Sequence, residues 1–223
     1  APINVNECGV LYSVDVVHGH KTGFYIDQRD SRHLLSELSK DKEVLNMFCY
    51  TGGFSLAALK GGAKHVTSVD SSGEALAMAQ RQMLLNGFDE SRATWIDSDA
   101  FAVLTQLRKE EKQFDIVVLD PPKFAPSSHH LDKALRAYKE INRAGMQLLK
   151  PGGLLFTFSC SGAVDSALFE RTIAMASAEA MAHSGNTSMD FRLMQRLSSG
   201  ADHPLLTSFP EGDYLKGLLL QRL

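Results

Sequence analysis

Long apolar runs are missing from this 223-residue chain. None approaches the roughly 20 residues a helix needs to cross a bilayer, which excludes a helical membrane span. Cysteine is scarce too. Cys8, Cys49 and Cys160 are odd in number, widely spaced and form no CxxC pair. That pattern argues against a disulfide framework and a structural zinc site, so the expectation is a reducing cytoplasm, no membrane and no metal. No charged-then-apolar-then-small opening reads as a signal peptide. The chain begins Ala-Pro rather than with Met, as a processed or excised piece would. A basic excess is also absent: the net charge is −3. Proteins that grip nucleic acid unaided usually show a basic face. Either the substrate is small, or the basic surface is local, or a separate gripping module lies outside this chain. Repeats and low-complexity tracts are lacking as well.

What is present is an ordinary globular composition, 44% apolar and 22% charged, on a length suited to one large domain with a small appendage. Residues 8–26 read as a β-hairpin whose turn, "HGHKTG", is bracketed by Gly19 and Gly23. The expected division is a hairpin region with the start of a linker helix over 1–35, then one domain over 36–223. From residue 44 short apolar runs alternate with amphipathic stretches. The runs are "VLNMF", "HVTSVD", "ATWID", "DIVVLD" and "GLLFTFS". Continuous apolar strands alternating with helices predict an α/β, doubly wound, mostly parallel sheet. A helix near 164–182 and strands "MDFRLMQRL" and "YLKGLLLQRL" complete seven strands.

In such sheets ligands bind at the carboxyl ends of the strands. The first strand leads into "CYTGGFS", and Phe48, Tyr50, Thr51, Gly52 and Gly53 are candidate cofactor contacts. The glycines let backbone approach a ligand at a helix N-terminus, or simply make a tight turn. The turn is not GxGxxG, which weakens a dinucleotide reading. The second strand ends at Asp70 and Ser71. Asp70 either accepts two ribose hydroxyls or caps the next helix. The third ends near Asp99 and Ala100, with Asp99 placed for an adenine amine or, again, a cap; Phe101 reads as core. Ribose and adenine contacts without a pyrophosphate loop point to S-adenosylmethionine.

The fourth strand exits through "LDPPKF", where two prolines stiffen the turn. Asp120 and the Pro121 carbonyl face a planar polar group, Phe124 packs near a base, and Pro122 and Lys123 complete the candidate substrate contacts. The fifth strand exits through Ser159-Cys160-Ser161-Gly162. The polar, turn-like setting favours a nucleophile over a core spacer at Cys160. A thiolate beside a methyl donor suits pyrimidine C5 chemistry, in which addition at C6 makes the ring enamine-like. Asp120, protonated or relayed, would then stabilise the adduct at the N3 edge. Cys49 reads as packing between aromatic neighbours. His129 and His130 read as exposed rather than metal-binding. His203 in "ADHP" is a substrate or base candidate beside a structural reading.

The strings "GFYIDQRDSR", "VLNMFCYTGGFS", "VTSVDSS", "LDPPKF", "FSCSG", "ADHP" and "FPEGDYLKG" together resemble the ribosomal large-subunit rRNA cytosine-C5 methyltransferase I family, over nearly the whole chain from about residue 9. The resemblance implies a class I methyltransferase fold, S-adenosylmethionine as cofactor, rRNA as substrate and Cys160 as nucleophile. It adds cofactor roles for Tyr25, Gln28 and Arg29, the last two toward the methionine carboxylate. Two departures follow. Many RNA cytosine-C5 methyltransferases carry a second cysteine where this chain has Lys123, so a one-cysteine mechanism is implied. The family's N-terminal RNA-binding domain is not in this chain, so RNA binding is expected to need its help. Two other readings stand beside this one: nitrogen methylation of RNA through the DPPKF turn with Cys160 a bystander, and a non-catalytic, cofactor-binding RNA assembly module.

Overall fold

The apolar runs become strands and the amphipathic stretches helices. The computed structural model describes residues 2–17, 24–124, 128–184 and 189–223. In chain order the elements are β1 (Ile3–Glu7), β2 (Val10–Val14), α1 (Arg29–Leu38), β3 (Glu43–Met47), α2 (Gly53–Lys60), β4 (His65–Asp70), α3 (Gly73–Leu85), β5 (Ala93–Asp97), α4 (Ala100–Lys109), β6 (Phe114–Leu119), α5 (Leu131–Gln147), β7 (Leu149–Ser159), α6 (Ser166–Ser184), β8 (Phe191–Leu197) and β9 (Lys216–Arg222). A seven-stranded sheet runs β5-β4-β3-β6-β7-β9-β8, with β1 and β2 forming a separate two-stranded sheet. In the large sheet β3–β4, β4–β5 and β6–β7 pair in parallel, while β9 runs antiparallel to both β7 and β8. Among the described residues no helix is long and apolar enough to cross a membrane.

The hairpin exists, but not where the glycines pointed. Its strands pair Ile3 with Val14 through Glu7 with Val10, so the turn is Cys8-Gly9. Cys8 (φ 50°) and Gly9 (φ 80°) both take the left-handed backbone a tight turn needs. The expected turn at 18–23 lies outside the described residues, and residues 26–28 form a 3-10 turn rather than a strand. Polar Asn4, Asn6 and Glu7 hid β1 from a search for apolar runs.

Contacts divide the chain into two units, Ala1–Asp99 with Ser199–His203, and Ala100–Ser198 with Pro204–Leu223. The hairpin is part of the first unit. Arg32 on α1 explains why. Its Nε and Nη2 grip the two carboxylate oxygens of Glu7 at 2.7 and 2.8 Å, while Nη1 donates to the Tyr25 carbonyl at 2.8 Å. The guanidinium also lies 4.5 Å from the centre of the Phe24 ring. Both partners are largely buried, so the two-pronged geometry has to offset the desolvation of the charges.

The outer edge of β2 is covered by side-chain amides of α3. Asn86, just past the helix, accepts from the Leu11 N–H and donates to the Leu11 carbonyl, both at 2.7 Å. Gln82 accepts from the Ser13 N–H at 3.2 Å. These amides stand in for a third strand and satisfy an edge that would otherwise be open. Beneath them α2 is buried from Phe54 to Leu59. Ser55 on α2 receives a hydrogen bond from Asn46 of β3 and shares one with Ser68 of β4, each 2.8 Å.

In the second unit β6 and β7 are the continuous apolar strands expected, buried from Ile116 to Leu119 and from Leu155 to Ser159. Helix α5 turns Ala134, Tyr138, Ile141 and Met146 inward, and Leu149 opens β7. Strand β8 is largely exposed and irregular at Leu193 to Gln195, as an edge strand should be.

Asn86→Ala tests the amide docking. It strands two backbone groups of Leu11, and the expected loss is about 1–3 kcal/mol in urea denaturation. Hydrogen exchange at the Leu11 amide should accelerate ahead of exchange in β3 and β4.

Candidate active site

The turn after β3 is strained. Phe48 (φ 60°), Tyr50 (φ 47°) and Gly52 (φ 83°) all lie in the left-handed region, which costs a non-glycine residue about 1–2 kcal/mol. Neighbouring groups hold it there. The Tyr50 N–H donates to Asp70 Oδ2 at 2.7 Å, the Cys49 N–H to the Val69 carbonyl at 3.0 Å, and Gln82 Nε2 to the Thr51 carbonyl at 3.0 Å. Gly52 has a packing reason to be glycine besides its φ, since a Cβ there would stand 2.9 Å from that of Ala79. Gly53 opens α2, and its carbonyl accepts from the Tyr12 hydroxyl at 3.2 Å.

Asp70 is not the cap of α3. Ser72 is, accepting from the Ala75 N–H at 3.3 Å. Asp70 Oδ1 takes the Ser72 N–H at 3.0 Å. With one N–H on each oxygen, the half-buried carboxylate keeps lone pairs for ribose hydroxyls. Ser71 is exposed. The Tyr25 ring stands edge-on to Tyr50 with centroids 5.5 Å apart, so Tyr25, Tyr50 and Asp70 converge.

Gln28 and Ser31 carry the clearest sign of a ligand site. They are 3% and 2% exposed. Among the described residues neither polar atom of the Gln28 amide, nor Ser31 Oγ, meets a hydrogen-bond partner. Buried groups left this way are costly, and a ligand carboxylate or amine would satisfy them. The Arg29 guanidinium pairs with Asp30 at 2.8 Å and with Asp202 at 2.9 Å. Asp202 brings the 199–203 segment to the start of α1. His203 is half-buried in that segment, its N–H on the Gly200 carbonyl at 2.9 Å. Asp99 is exposed beyond β5.

In the second unit, Leu119 of β6 pairs with Thr157 of β7. Asp120 follows one residue past that pair and Cys160 three residues past it. Asp120, Phe124 and Cys160 are half-buried, Pro121 is buried, and Pro122 and Lys123 are exposed. Ala100 is the buried first residue of α4. The serines around Cys160 do not mark an exposed turn. Both are fully buried, and Cys160 between them is the open one of the three.

A buried tyrosine unites these loops. The Tyr138 hydroxyl lies 3.0 Å from Ser159 Oγ and 3.0 Å from Ser161 Oγ. The Phe124 backbone also hydrogen-bonds to it, and the Phe124 ring packs 4.9 Å from its ring. Ser159 Oγ accepts in turn from the Ser161 N–H at 3.3 Å. Below them Lys216 donates to the Ser161 carbonyl at 2.8 Å. The available sequence signal for Tyr138 was a polar tip among the apolar residues of its helix, because a buried phenol needs partners. Lys216, a charge inside "YLKGLLLQRL", gave a similar one.

Cys49 is buried, and burial with the nearby Asp70 carboxylate pushes its thiol well above the ordinary range, so it is no nucleophile. Cys8 is exposed at the hairpin turn. His129 and His130 are exposed, and no metal-holding cluster occurs among the described residues. A groove of about 460 Å³ beside α6, lined by Ile173, Met181 and Leu218, contains none of the candidate residues.

The profile of the S-adenosylmethionine-dependent methyltransferases matches residues 2–191. The ribosomal RNA large subunit methyltransferase I of Pseudoalteromonas translucida is 49% identical over 219 residues, 98% of this chain and 54% of its own length. That of Vibrio cholerae is 51% identical over 215 residues, 96% of this chain and 52% of its own. The chain thus spans about half the length of the curated relatives it matches. A SAM-dependent methyltransferase structure from Streptococcus mutans superposes with a TM-score of 0.85 at 25% identity, covering 99% of this chain and 55% of that one. A similar structure, at TM-score 0.86, was solved with SAH bound. The tRNA m1G37 methyltransferase of M. jannaschii, at 19% identity and TM-score 0.59, shares the fold. With a profile match over most of its length and near-half identity to named relatives, the chain belongs to the S-adenosylmethionine-dependent methyltransferases.

Proposed function

We propose that this chain is the catalytic part of an enzyme that methylates cytosine C5 in large-subunit (23S) rRNA through a covalent bond to Cys160. The observation that carries the reading is the Tyr138 hydroxyl, which holds the DPPKF turn and the Cys160 turn together and leaves the half-buried Cys160 between two anchored serines. Relatives named for rRNA methylation support the substrate class. The net charge of −3, and the greater length of those relatives, support an RNA-gripping part of the protein outside this chain.

S-adenosylmethionine supplies an electrophilic methyl group when bound. The first unit holds it: Asp70 accepts the ribose hydroxyls, and Gln28 and Ser31 meet the methionine end. In the second unit the Cys160 thiolate bonds to cytosine C6, and the C5=C6 electron pair moves onto C5. A protonated Asp120 donates toward N3 and stabilises the charge that develops on the ring. With the cofactor bound, C5 would take its methyl group while the methyl–sulfur bond broke, that electron pair staying on the sulfur of the departing S-adenosylhomocysteine. Loss of the C5 proton to a base returns the C–H pair to the C5=C6 bond, and the C6–S pair departs with Cys160. The products are 5-methylcytosine, S-adenosylhomocysteine and one proton. Lys123 occupies the place of a second cysteine, so Cys160 both adds and leaves.

The test is incubation of the full-length protein with rRNA carrying 5-fluorocytidine. Fluorine cannot leave C5 as a cation, so an adduct persists. The expected product is a denaturation-resistant RNA–protein complex bonded through Cys160. Cys160→Ala should abolish it and lower methyl transfer to ordinary rRNA at least about 10³-fold. Full activity in that variant, or nucleoside mass spectrometry showing nitrogen methylation, would refute the reading. Tyr138→Phe tests the positioning. It leaves two buried serine hydroxyls short of a partner and should cost about 1–3 kcal/mol of stability. The same change should lower kcat while calorimetric affinity for S-adenosylmethionine stays at the wild-type value.

A further inference from the structure

Strand β9 begins with a lysine where an apolar strand residue would be ordinary. Lys216 is 8% exposed. It stands across from Ser159 in the antiparallel β7–β9 register, and its Nζ donates to the Ser161 carbonyl at 2.8 Å. The lysine therefore brackets the cysteine, with its backbone against the residue before and its ammonium on the residue after. The approach of the strands is tight. A Cβ on the next residue, Gly217, would stand 2.6 Å from the Phe158 ring. Among the described residues no carboxylate comes within salt-bridge distance of Lys216. A buried ammonium without such a partner is expensive to keep, and one carbonyl satisfies only one of its three N–H donors.

We infer that Lys216 is the charge partner of Cys160, a positioning residue whose ammonium favours the thiolate that the proposed C6 addition requires. The inference rests on the cytosine-C5 reading for its purpose and on the β7–β9 geometry for its substance. Burial lowers its pKa from the ordinary lysine value, Cys160, Asp213 and Asp165 oppose that shift, and Lys123 adds to it. Cys160 ranks first among the groups that help Lys216 keep its proton. Attraction between two groups is mutual, so the same interaction favours the thiolate. Lys216 does not need to touch the base. It acts through Cys160.

The test reads the thiol directly, apart from methyl transfer. In the full-length protein, iodoacetamide alkylation of Cys160 is followed by peptide mass spectrometry across pH. Lys216→Met removes the charge at nearly the same length and should move the alkylation midpoint about one unit higher. That corresponds to a rate at neutral pH about tenfold lower. Lys216→Arg keeps a cation and should stay near the wild-type profile, an outcome that mere packing at this position would not produce. Superimposable profiles for wild type and Lys216→Met would overturn the inference whatever happens to activity. Should Lys216→Met not fold, the reciprocal measurement stands: in Cys160→Ser, the ¹³Cε resonance of Lys216 should titrate at lower pH than in wild type, and an unmoved titration would refute the pairing. Failure of the cytosine-C5 reading looks different, namely full methyl transfer by Cys160→Ala with the alkylation shift intact.

Discussion

A tyrosine hydroxyl can donate one hydrogen bond and accept two, and the second unit depends on a tyrosine that uses all three. Ser159 and the Phe124 N–H donate to Tyr138, which leaves its own proton for Ser161. Phe124 closes the DPPKF turn, and the serines flank Cys160. One buried phenol on α5 thus fixes the exits of both β6 and β7. Each loop alone would be a short polar turn free to sample several conformations. Tied to the same oxygen, both are held in one arrangement, and the helix that supplies the oxygen is itself anchored by Ile141 and Met146 in the core. The aromatic contacts of Tyr138 with Phe124 and Phe169 keep the ring from turning its hydroxyl away.

The first unit solves a comparable problem with a carboxylate. Two non-glycine residues in left-handed backbone would relax if released, and strain of this kind persists only where surroundings over-determine it. Asp70 supplies much of that restraint through the Tyr50 N–H. Its other oxygen holds the Ser72 N–H, so the entry to α3 and the turn before α2 hang on one side chain. Gln82 carries the connection further, reaching from the Thr51 carbonyl to the Ser13 N–H of the hairpin. The N-terminal hairpin is therefore not an ornament on the fold. Through Gln82 and Arg32 it braces the strained turn and the Tyr25 backbone beside Gln28.

The strands and helices of the sheet were legible because their signal is local. A buried parallel strand is an unbroken apolar run, and "DIVVLD" can hardly be anything else. The ends of the strands were legible too, since polar and proline residues there interrupt the runs, and Asp70, Asp120 and Cys160 all fall at such ends. Two things could not be read. The partner of β2 is a polar strand whose outward residues carry no periodic signal, and the glycines at 19 and 23 drew the turn away from Cys8-Gly9. The reason for Cys160's exposure was also misread. Its serine neighbours suggested an open turn, whereas they are buried and open the cysteine by alternation. Tyr138 and Lys216 are distant from Cys160 in sequence, by 22 and 56 residues, and only the closing of β6, β7 and β9 around α5 brings them together.

The same cluster bears on what the unit gives up. Tyr138, Ser159, Ser161 and Lys216 all lie in positions that apolar side chains could fill, and well-packed apolar replacements of buried polar networks are often neutral or stabilising. A strand that merely had to end at a cysteine would need none of them. Their presence around one half-buried sulfur has a common explanation in placement and charge: hydroxyls with directional bonds set where Cys160 stands, and the ammonium sets which protonation state it favours. Departures from the cheapest core are expected where function constrains the structure. Here every departure in the cluster is bonded to a group within one residue of Cys160, or to another member that is. A purely structural role for the cluster would not require that concentration, because buried polar groups serving stability alone need only satisfy one another.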